Sequence, residues 1–344
     1  MKIIVDAMGG DNAPQAIVQG ALDAARELSV KILLVGRTEA ILKAMEACGE
    51  TTLPAGVEIH NATEVVEIAD DPATAFKRKK DSSLTVGLTL LRDGGGDAFV
   101  SAGSTGALLS GATLVVKRIR GIRRAAMAPQ VPCVGGHFVL CDCGANAECT
   151  PEYLLQFAYL GSFYAKRMMG IDRPRVALLN IGAESEKGDT LRHESYQAME
   201  AAGAAGRIHF TGNIEASDAM LGGADVVVAD GFSGNVMLKA VEGSAKFMSK
   251  ELKNMFLSGN KSKVAALLVK DKLGDFKKTL DPSEVGGTPF LGISRPVIKA
   301  HGSSNARAIF NAVRQARDFA ASGFIGDIQA NIDYMKVTSP GENN

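Results

Sequence analysis

The sequence predicts an α/β protein built on a largely parallel sheet with helices over both faces. Short apolar runs alternate with longer helical patterns along nearly the whole chain, as successive βαβ units require. Runs such as Val226-Val227-Val228-Ala229 are apolar without alternation, the pattern of a strand buried on both sides. The composition agrees: 38 glycines, 6% aromatics and no Trp among 344 residues suit helices lying close on a sheet and joined by tight turns.

In chain order, strands are expected at 2–5, 31–35, 57–60, 97–101, 138–141, 176–180 and 226–229. Helices are expected at 13–28, 38–48, 84–92, 105–118, 152–169, 194–202, 235–256 and 306–320. The chain is long enough for one large or two ordinary domains. No low-complexity linker or internal repeat divides it, so residues 1–335 read as one catalytic unit of two lobes around a cleft, and 336–344 as a flexible tail. Lys+Arg and Asp+Glu both number 38, so the basic footprint of a nucleic-acid binder is missing. No apolar run approaches the ~18 residues of a membrane span. The amino end meets Asp6 too soon for a signal peptide, and five irregularly spaced cysteines do not make a disulfide framework. A cytoplasmic protein with reduced thiols is expected.

One charge asymmetry stands out. Segment 246–280 holds nine lysines against three acids, a net +6 on a helical stretch. Leu252, Met255, Phe256, Leu267, Leu268 and Phe276 lie among these lysines, as in helices that rest on anionic membranes. A solvated helical face with a subunit contact is the plainer alternative. A second basic cluster, Lys117-Arg118, Arg120 and Arg123-Arg124, could receive an acidic partner.

Ligands of open parallel sheets bind beyond the carboxyl ends of the strands. There this chain has Asp6-Ala7-Met8-Gly9-Gly10-Asp11-Asn12, Ser101-Ala102-Gly103-Ser104-Thr105-Gly106, Asp230-Gly231-Phe232-Ser233-Gly234-Asn235 and His301-Gly302-Ser303-Ser304-Asn305. Glycine admits close backbone approach, and hydroxyls with helix-terminal N–H groups bind anions. Any one of these loops could be an ordinary helix cap. Four at one sheet edge point to an anion site. Gly-x-Gly-x-x-Gly, a Walker loop and the Gly-x-Ser-x-Gly elbow are all missing, which favours a small anion or phosphate ester over a dinucleotide. Lys187, beside Gly188 after the strand at 176–180, can pair with phosphate or polarise a carbonyl, or else merely balance Glu184 and Glu186. Cys141 and Cys143 read as small hydrophobes in a strand, not as a zinc knuckle. No metal or cofactor is expected.

At these loops the chain resembles the bacterial phosphate acyltransferases of phospholipid synthesis, in the family's order from residue 1 to about 327. Asp6 to Pro14, Ser101 to Ala107, Asn180-Ile181-Gly182, Asp230 to Val236 and His301 to Ser304 carry the likeness. The resemblance implies a three-layer α/β/α fold like that of isocitrate dehydrogenase and phosphotransacetylase, with a cleft between two lobes and usually a homodimer. It implies attack of inorganic phosphate on a long-chain acyl-carrier-protein thioester, giving acyl phosphate that a membrane acyltransferase passes to glycerol 3-phosphate. By matching motifs, Lys187 and Asn235 become the catalytic pair. Asp6, Gly9, Gly10, Ser101, Gly103, Ser104, Thr105, Gly106, Ser233, Gly234, His301, Gly302 and Ser303 become substrate and phosphate residues. Leu252, Met255, Phe256, Leu267 and Leu268 become the surface that docks a membrane or the carrier, making the enzyme peripheral to the membrane. Other readings are a metal- and NAD-dependent hydroxyacid dehydrogenase of this fold, and a non-catalytic membrane-associated scaffold.

Overall fold

The computed structural model describes residues 1–279 and 282–335. The expected tail, 336–344, and residue 280 at the end of the lysine-rich segment lie outside them. The chain opens with β1 (Lys2–Asp6), α1 (Gln15–Leu28), β2 (Lys31–Gly36), α2 (Thr38–Ala47), β3 (Val57–Asn61), α3 (Ala75–Arg78), α4 (Ser83–Arg92), β4 (Ala98–Ser101) and α5 (Thr105–Gly111). Instead of running on as an α-helix to 118, α5 passes into a wider π turn over Ala112–Val116. There follow β5 (Ala126–Met127), β6 (Gln130–Cys133), β7 (Gly136–Cys141), α6 (Pro151–Met169), β8 (Arg175–Leu179), α7 (Thr190–Ala204), β9 (His209–Ile214), α8 (Ala216–Met220) and β10 (Val226–Val228). The last third is α9 (Gly231–Leu257), α10 (Asn260–Leu268), α11 (Lys270–Thr279), α12 (Pro282–Val285), β11 (Thr288–Leu291), β12 (Val297–Lys299), α13 (Ala306–Ala321) and α14 (Phe324–Ala330).

These strands form two sheets where the alternation suggested one. The seven-stranded sheet runs β3-β2-β1-β4-β12-β11-β5 and the five-stranded sheet β6-β7-β10-β8-β9. Pairing is parallel except at β11, which opposes β12 and β5, and at the β6–β7 hairpin. The sheet is mostly parallel, as expected, and helices cover it.

Local sequence explains the element ends. Thr150 caps α6 and Pro151 opens it, where a missing N–H costs nothing; Gly170 ends it in the left-handed region at φ 70°. One apolar cluster contains Ile3 and Val5 of the first sheet, Val139 and Val226 of the second, and the α6 side chains Phe157 and Tyr159. The lobes are further joined where Gln315 Nε2 of α13 donates to the buried Tyr164 hydroxyl at 3.0 Å. Arg167 clasps Asp327 with two bonds of 2.6 and 2.8 Å.

Helices α1 and α13 approach closely, and Gly20 permits it: a Cβ there would strike the Ala306 carbonyl oxygen and lie 2.7 Å from Ile309 Cβ. The Gly20→Ala variant should therefore lose about 1–3 kcal/mol of stability through overpacking. Urea unfolding measures this, and an unchanged midpoint would mean the two helices are free to part.

Candidate functional site

In the seven-stranded sheet the chain leaves β1 toward β2 on one side, while β4 lies on the other. That reversal opens a crevice at the strand ends. Asp6, the last residue of β1, is buried in it and accepts from Ser101 Oγ at 2.7 Å and from the Met8 N–H at 3.1 Å. Burial raises its pKa, opposed by the hydroxyls of Ser83 and Ser101 and the N–H groups of Met8 and Gly9. The Gly103 N–H donates to Ser101 Oγ at 3.0 Å, which folds the next loop back over the same carboxylate.

Three loops interleave here at backbone distance. A Cβ on Gly9 would fall 2.7 Å from the Gly103 nitrogen. Gly10, at φ +104°, has room for no side chain between Ala102 and the Gly302 carbonyl. The Asp11 N–H donates to Gly302 O at 2.8 Å, and Asn12 Nδ2 reaches Ser303 O at 3.1 Å and Ser304 O at 3.2 Å. Ser104 caps α5 through the Ala107 N–H at 3.4 Å, and Gly106 lets Pro72 lie against the first turn. His301 Nδ1 accepts the Ser303 N–H at 3.2 Å and meets Ser303 Oγ at 2.9 Å, which leaves the ring's other proton on Nε2. Partial burial and the neighbouring Lys299 push this imidazole down, toward its neutral form. Lys299, the last residue of β12, is 7% exposed beneath these loops.

The five-stranded sheet contributes a different arrangement. Asp142, fully buried after β7, accepts N–H bonds from Met127 at 2.8 Å, Cys143 at 2.7 Å and Asn146 at 2.7 Å. Ala145 and the Asn146 side chain complete the cage. Gly231 N–H then donates to Asn146 O at 2.7 Å, and α9 starts against this loop; a Cβ on Gly234 would strike the Asp142 carbonyl. Asp230 caps α9 through the N–H groups of Phe232 at 3.1 Å and Ser233 at 2.9 Å. Arg192 of α7 pairs with Asp230 and donates to Ser233 Oγ at 2.9 Å, and these donors hold the Asp230 carboxyl below its ordinary range against its burial. Because the cap occupies those N–H groups, the polar group this loop offers to the cleft is the exposed Asn235 side chain, beside Gly144.

Lys187 is presented by a loop pinned through its backbone. Asn180 Nδ2 holds Lys187 O at 2.9 Å, Asn213 Nδ2 holds Glu184 O at 2.7 Å, and His193 Nε2 lies 2.6 Å from Glu186 O. The Lys187 side chain is exposed, and among the described residues no ion pair ties it to Glu184 or Glu186. The loop is fixed and the ammonium is free.

The charges of α9 reach both halves. Charges on Lys239 and Glu242 act both on Cys143 of the second sheet and on His301 of the first. A cavity of about 310 Å³ spans the same boundary, between Leu109, Thr113 and Leu114 beyond the α5 turn and Ala145 and Asn146 across from it, with Arg118 and Arg124 on its wall.

The four loops therefore do not share one sheet edge, as the strand pattern suggested. Those at Asp6, Ser101 and His301 belong to the seven-stranded sheet, and that at Asp230 to the five-stranded one, which also bears the separate Lys187 loop. Ser233, Gly234 and Asn235 are the first turn of α9, which begins at Gly231, not at 235. In the lysine-rich segment Met255, Leu267 and Leu268 are exposed at 54%, 72% and 82%, while Leu252 and Phe256 are half-buried. Cys141 and Cys143 are buried, and burial pushes both thiols well up. Sequence reading passed over Asp142, Arg192 and Lys299. Asp142 was legible as a carboxylate inside an apolar run, whereas Lys299 ends a three-residue strand that the pattern did not reveal.

Residues 1–326 match the family described as "Fatty acid synthesis protein". The chain is 46% identical over 339 residues to the phosphate acyltransferase of Listeria welshimeri, covering 98% of each. It is 46% identical over 335 residues to that of Geobacillus thermodenitrificans, covering 97% of this chain and 99% of the relative. A phosphotransacetylase from Streptococcus pyogenes superposes with a TM-score of 0.65 at 18% identity over 93% of this chain and 94% of that one, which shows the fold and nothing narrower. On near-half identity along almost its entire length, this chain belongs to the phosphate acyltransferase family.

Proposed function

We propose that the chain moves a long-chain acyl group from an acyl-carrier-protein thioester to inorganic phosphate, with phosphate in the glycine nest of the seven-stranded sheet and the thioester carbonyl on the Lys187–Asn235 side. The observation that carries this reading is the interlock of three glycine loops around Asp6, Ser101 and His301, facing α9. Such a nest offers N–H groups and hydroxyls to an anion of phosphate size. The relatives that share nearly half the sequence are acyltransferases, so the dehydrogenase reading is set aside.

The chemistry asks little of side-chain acid or base. Inorganic phosphate near pH 7 already carries a substantial dianionic fraction, as phosphate esters do, so no strong general base is needed. Its oxygen attacks the carbonyl carbon, the C–O bond forms, and the C–S bond breaks with the electron pair leaving on sulfur. The hydrogen-phosphate proton ends on the thiol, so acyl phosphate and free carrier thiol balance the substrates. What accelerates this is alignment and neutralisation of the developing oxyanion. Lys187 supplies the mobile positive charge, and Asn235 an amide donor held by the capped start of α9. His301 offers Nε2–H to a phosphate oxygen as a neutral donor. Ser101, Gly103, Ser104, Thr105 and Gly106 line the other side of the nest with Gly9, Gly10, Gly302 and Ser303. Ser233 and Gly234 act through Asn235, whose position they fix.

The arm formed by the outer half of α9 with α10 suits a membrane surface. A 27-residue helix is ~40 Å long, and beyond Met237 none of its described residues is buried. Phe247, Met248, Met255, Leu267 and Leu268 are exposed among the lysines. Acyl phosphate carrying a long chain is delivered most directly at a bilayer, where a membrane glycerol-3-phosphate acyltransferase would take it. The arginines at 118, 120, 123 and 124 suit the acidic carrier. No described helix is long and apolar enough to cross a membrane, so the contact is peripheral, from the cytoplasmic side, and a homodimer would present two such arms.

Two measurements follow. In an assay of phosphate-dependent thiol release, Lys187→Ala and Asn235→Ala should each lower kcat by about 10²–10³, the loss typical of one oxyanion donor; near-normal turnover in either removes that residue from the mechanism. Replacing both Leu267 and Leu268 with Asp should abolish pelleting with anionic vesicles while thiol release in solution persists. Undiminished pelleting would refute the arm's role.

A further inference from the structure

Among the described residues Lys299 is the one buried lysine, and it lies beneath the nest. It closes β12, whose neighbour in the sheet is β4, and its side chain is 7% exposed. Nζ donates to Ala102 O at 3.3 Å and to Ala300 O. These carbonyls belong to two different nest loops, one ahead of Gly103 and one ahead of His301. An ammonium has three N–H groups, and the third has no hydrogen-bond partner among the described residues. Asp6 and Asp11 act on it electrostatically from the first loop.

An anion site made of backbone works only if its carbonyl dipoles turn away from the anion. Carbonyl oxygens facing phosphate would repel it as strongly as N–H groups attract it. Without a cation below them, the carbonyls of 102 and 300 would have no buried donor, and buried carbonyls seek one.

We propose that Lys299 is the positioning residue of the phosphate nest: its ammonium draws the Ala102 and Ala300 carbonyls inward, turns the Gly103 and His301 segments toward the ligand, and sets a fixed positive charge under it. This rests on the reading of the nest as the phosphate site. Lys187 then serves the carbonyl being attacked and Lys299 serves the attacking anion, so the two lysines divide the reaction between the two sheets.

The groups facing Lys299 are Asp6 and Asp11 from the β1 loop and His301 from its own, with Lys239, Glu242 and Lys246 of α9 beyond the imidazole. Burial outweighs the two aspartates and brings the Lys299 pKa down to about 8. As pH rises through that value the free enzyme loses the charge, so phosphate affinity must fall on the alkaline side. The substrate does not cause the fall, since rising pH only makes phosphate more dianionic, nor does His301, whose pKa is lowered and whose ring is neutral throughout.

The test is calorimetric titration of the full chain with inorganic phosphate between pH 7 and 9.5, beside thiol-release kinetics. For wild type we expect phosphate Kd, and kcat/KM for phosphate, to worsen above about pH 8. For Lys299→Met we expect Kd for phosphate to rise roughly 10- to 100-fold, the worth of a charge-assisted hydrogen bond, with KM for the acyl thioester nearly unchanged. For Lys299→Arg, affinity returns in part and the alkaline fall disappears. A folded Lys299→Met that binds phosphate like wild type overturns the proposal. So does a wild-type affinity flat across this range, which needs no variant to fold. Wild type that binds phosphate with the alkaline fall but releases no thiol would refute the acyl-transfer reading and leave Lys299 in place; wild type that binds no phosphate refutes both.

Discussion

Burying a carboxylate at the end of a strand obliges the chain to bring donors to it, and this molecule does so at Asp6, Asp142 and Asp230. An isolated buried charge is too costly to tolerate, so each loop curls until its own N–H groups or a neighbouring hydroxyl meet the oxygens. At Asp142 four backbone N–H groups and one amide converge. At Asp6 the partners are a serine from the next strand and the N–H two residues on. At Asp230 an arginine is recruited from α7. The loops that line the cleft are therefore held from beneath, and their glycines lie close because the carboxylates draw the backbone in.

This division explains why the two lobes offer different chemistry. The first sheet presents backbone, glycine and small hydroxyls over a buried ammonium, the surface that the proposed mechanism gives to a compact dianion. The second presents the exposed Lys187 ammonium and Asn235 amide, which the proposed mechanism gives to the thioester carbonyl. α9 is capped at one end by Asp230, and the charges of its Lys239 and Glu242 act on His301 of the first sheet. A reaction that joins an anion to a thioester needs both surfaces at contact distance and little proton transfer. Free cysteines do not enter it: burial holds Cys149 up to about 12, so no thiolate forms near neutral pH.

Much of this was legible in the residues. The strands at β1, β2, β4, β7, β8 and β10 are apolar and bounded by Gly, Asp and Ser, and the glycine loops that follow them stand out in the sequence. The division into two sheets was not legible, because β12 is only Val-Ile-Lys behind Pro296, and β9 reads His-Phe-Thr-Gly-Asn-Ile, half-buried or buried along most of its length and with no apolar pattern. Missing β12 also hid Lys299, since a lysine outside any recognised strand gives no sign of burial. The start of α9 was misjudged because Gly231, Ser233 and Gly234 are poor helix formers, tolerated there only for their contact with the Asp142 loop. Asp142 itself looked like an interruption of a strand, when it is the post around which the next loop is built.

A crystal structure of the protein with orthophosphate and an unreactive acyl thioether bound would test the division of labour most directly. The account predicts phosphate density between Gly10, Gly103 and His301, with the thioether's carbonyl-equivalent carbon near Asn235 and the Lys187 ammonium turned toward it. A phosphate lodged elsewhere, with the nest empty and Lys187 directed into solvent, would contradict it.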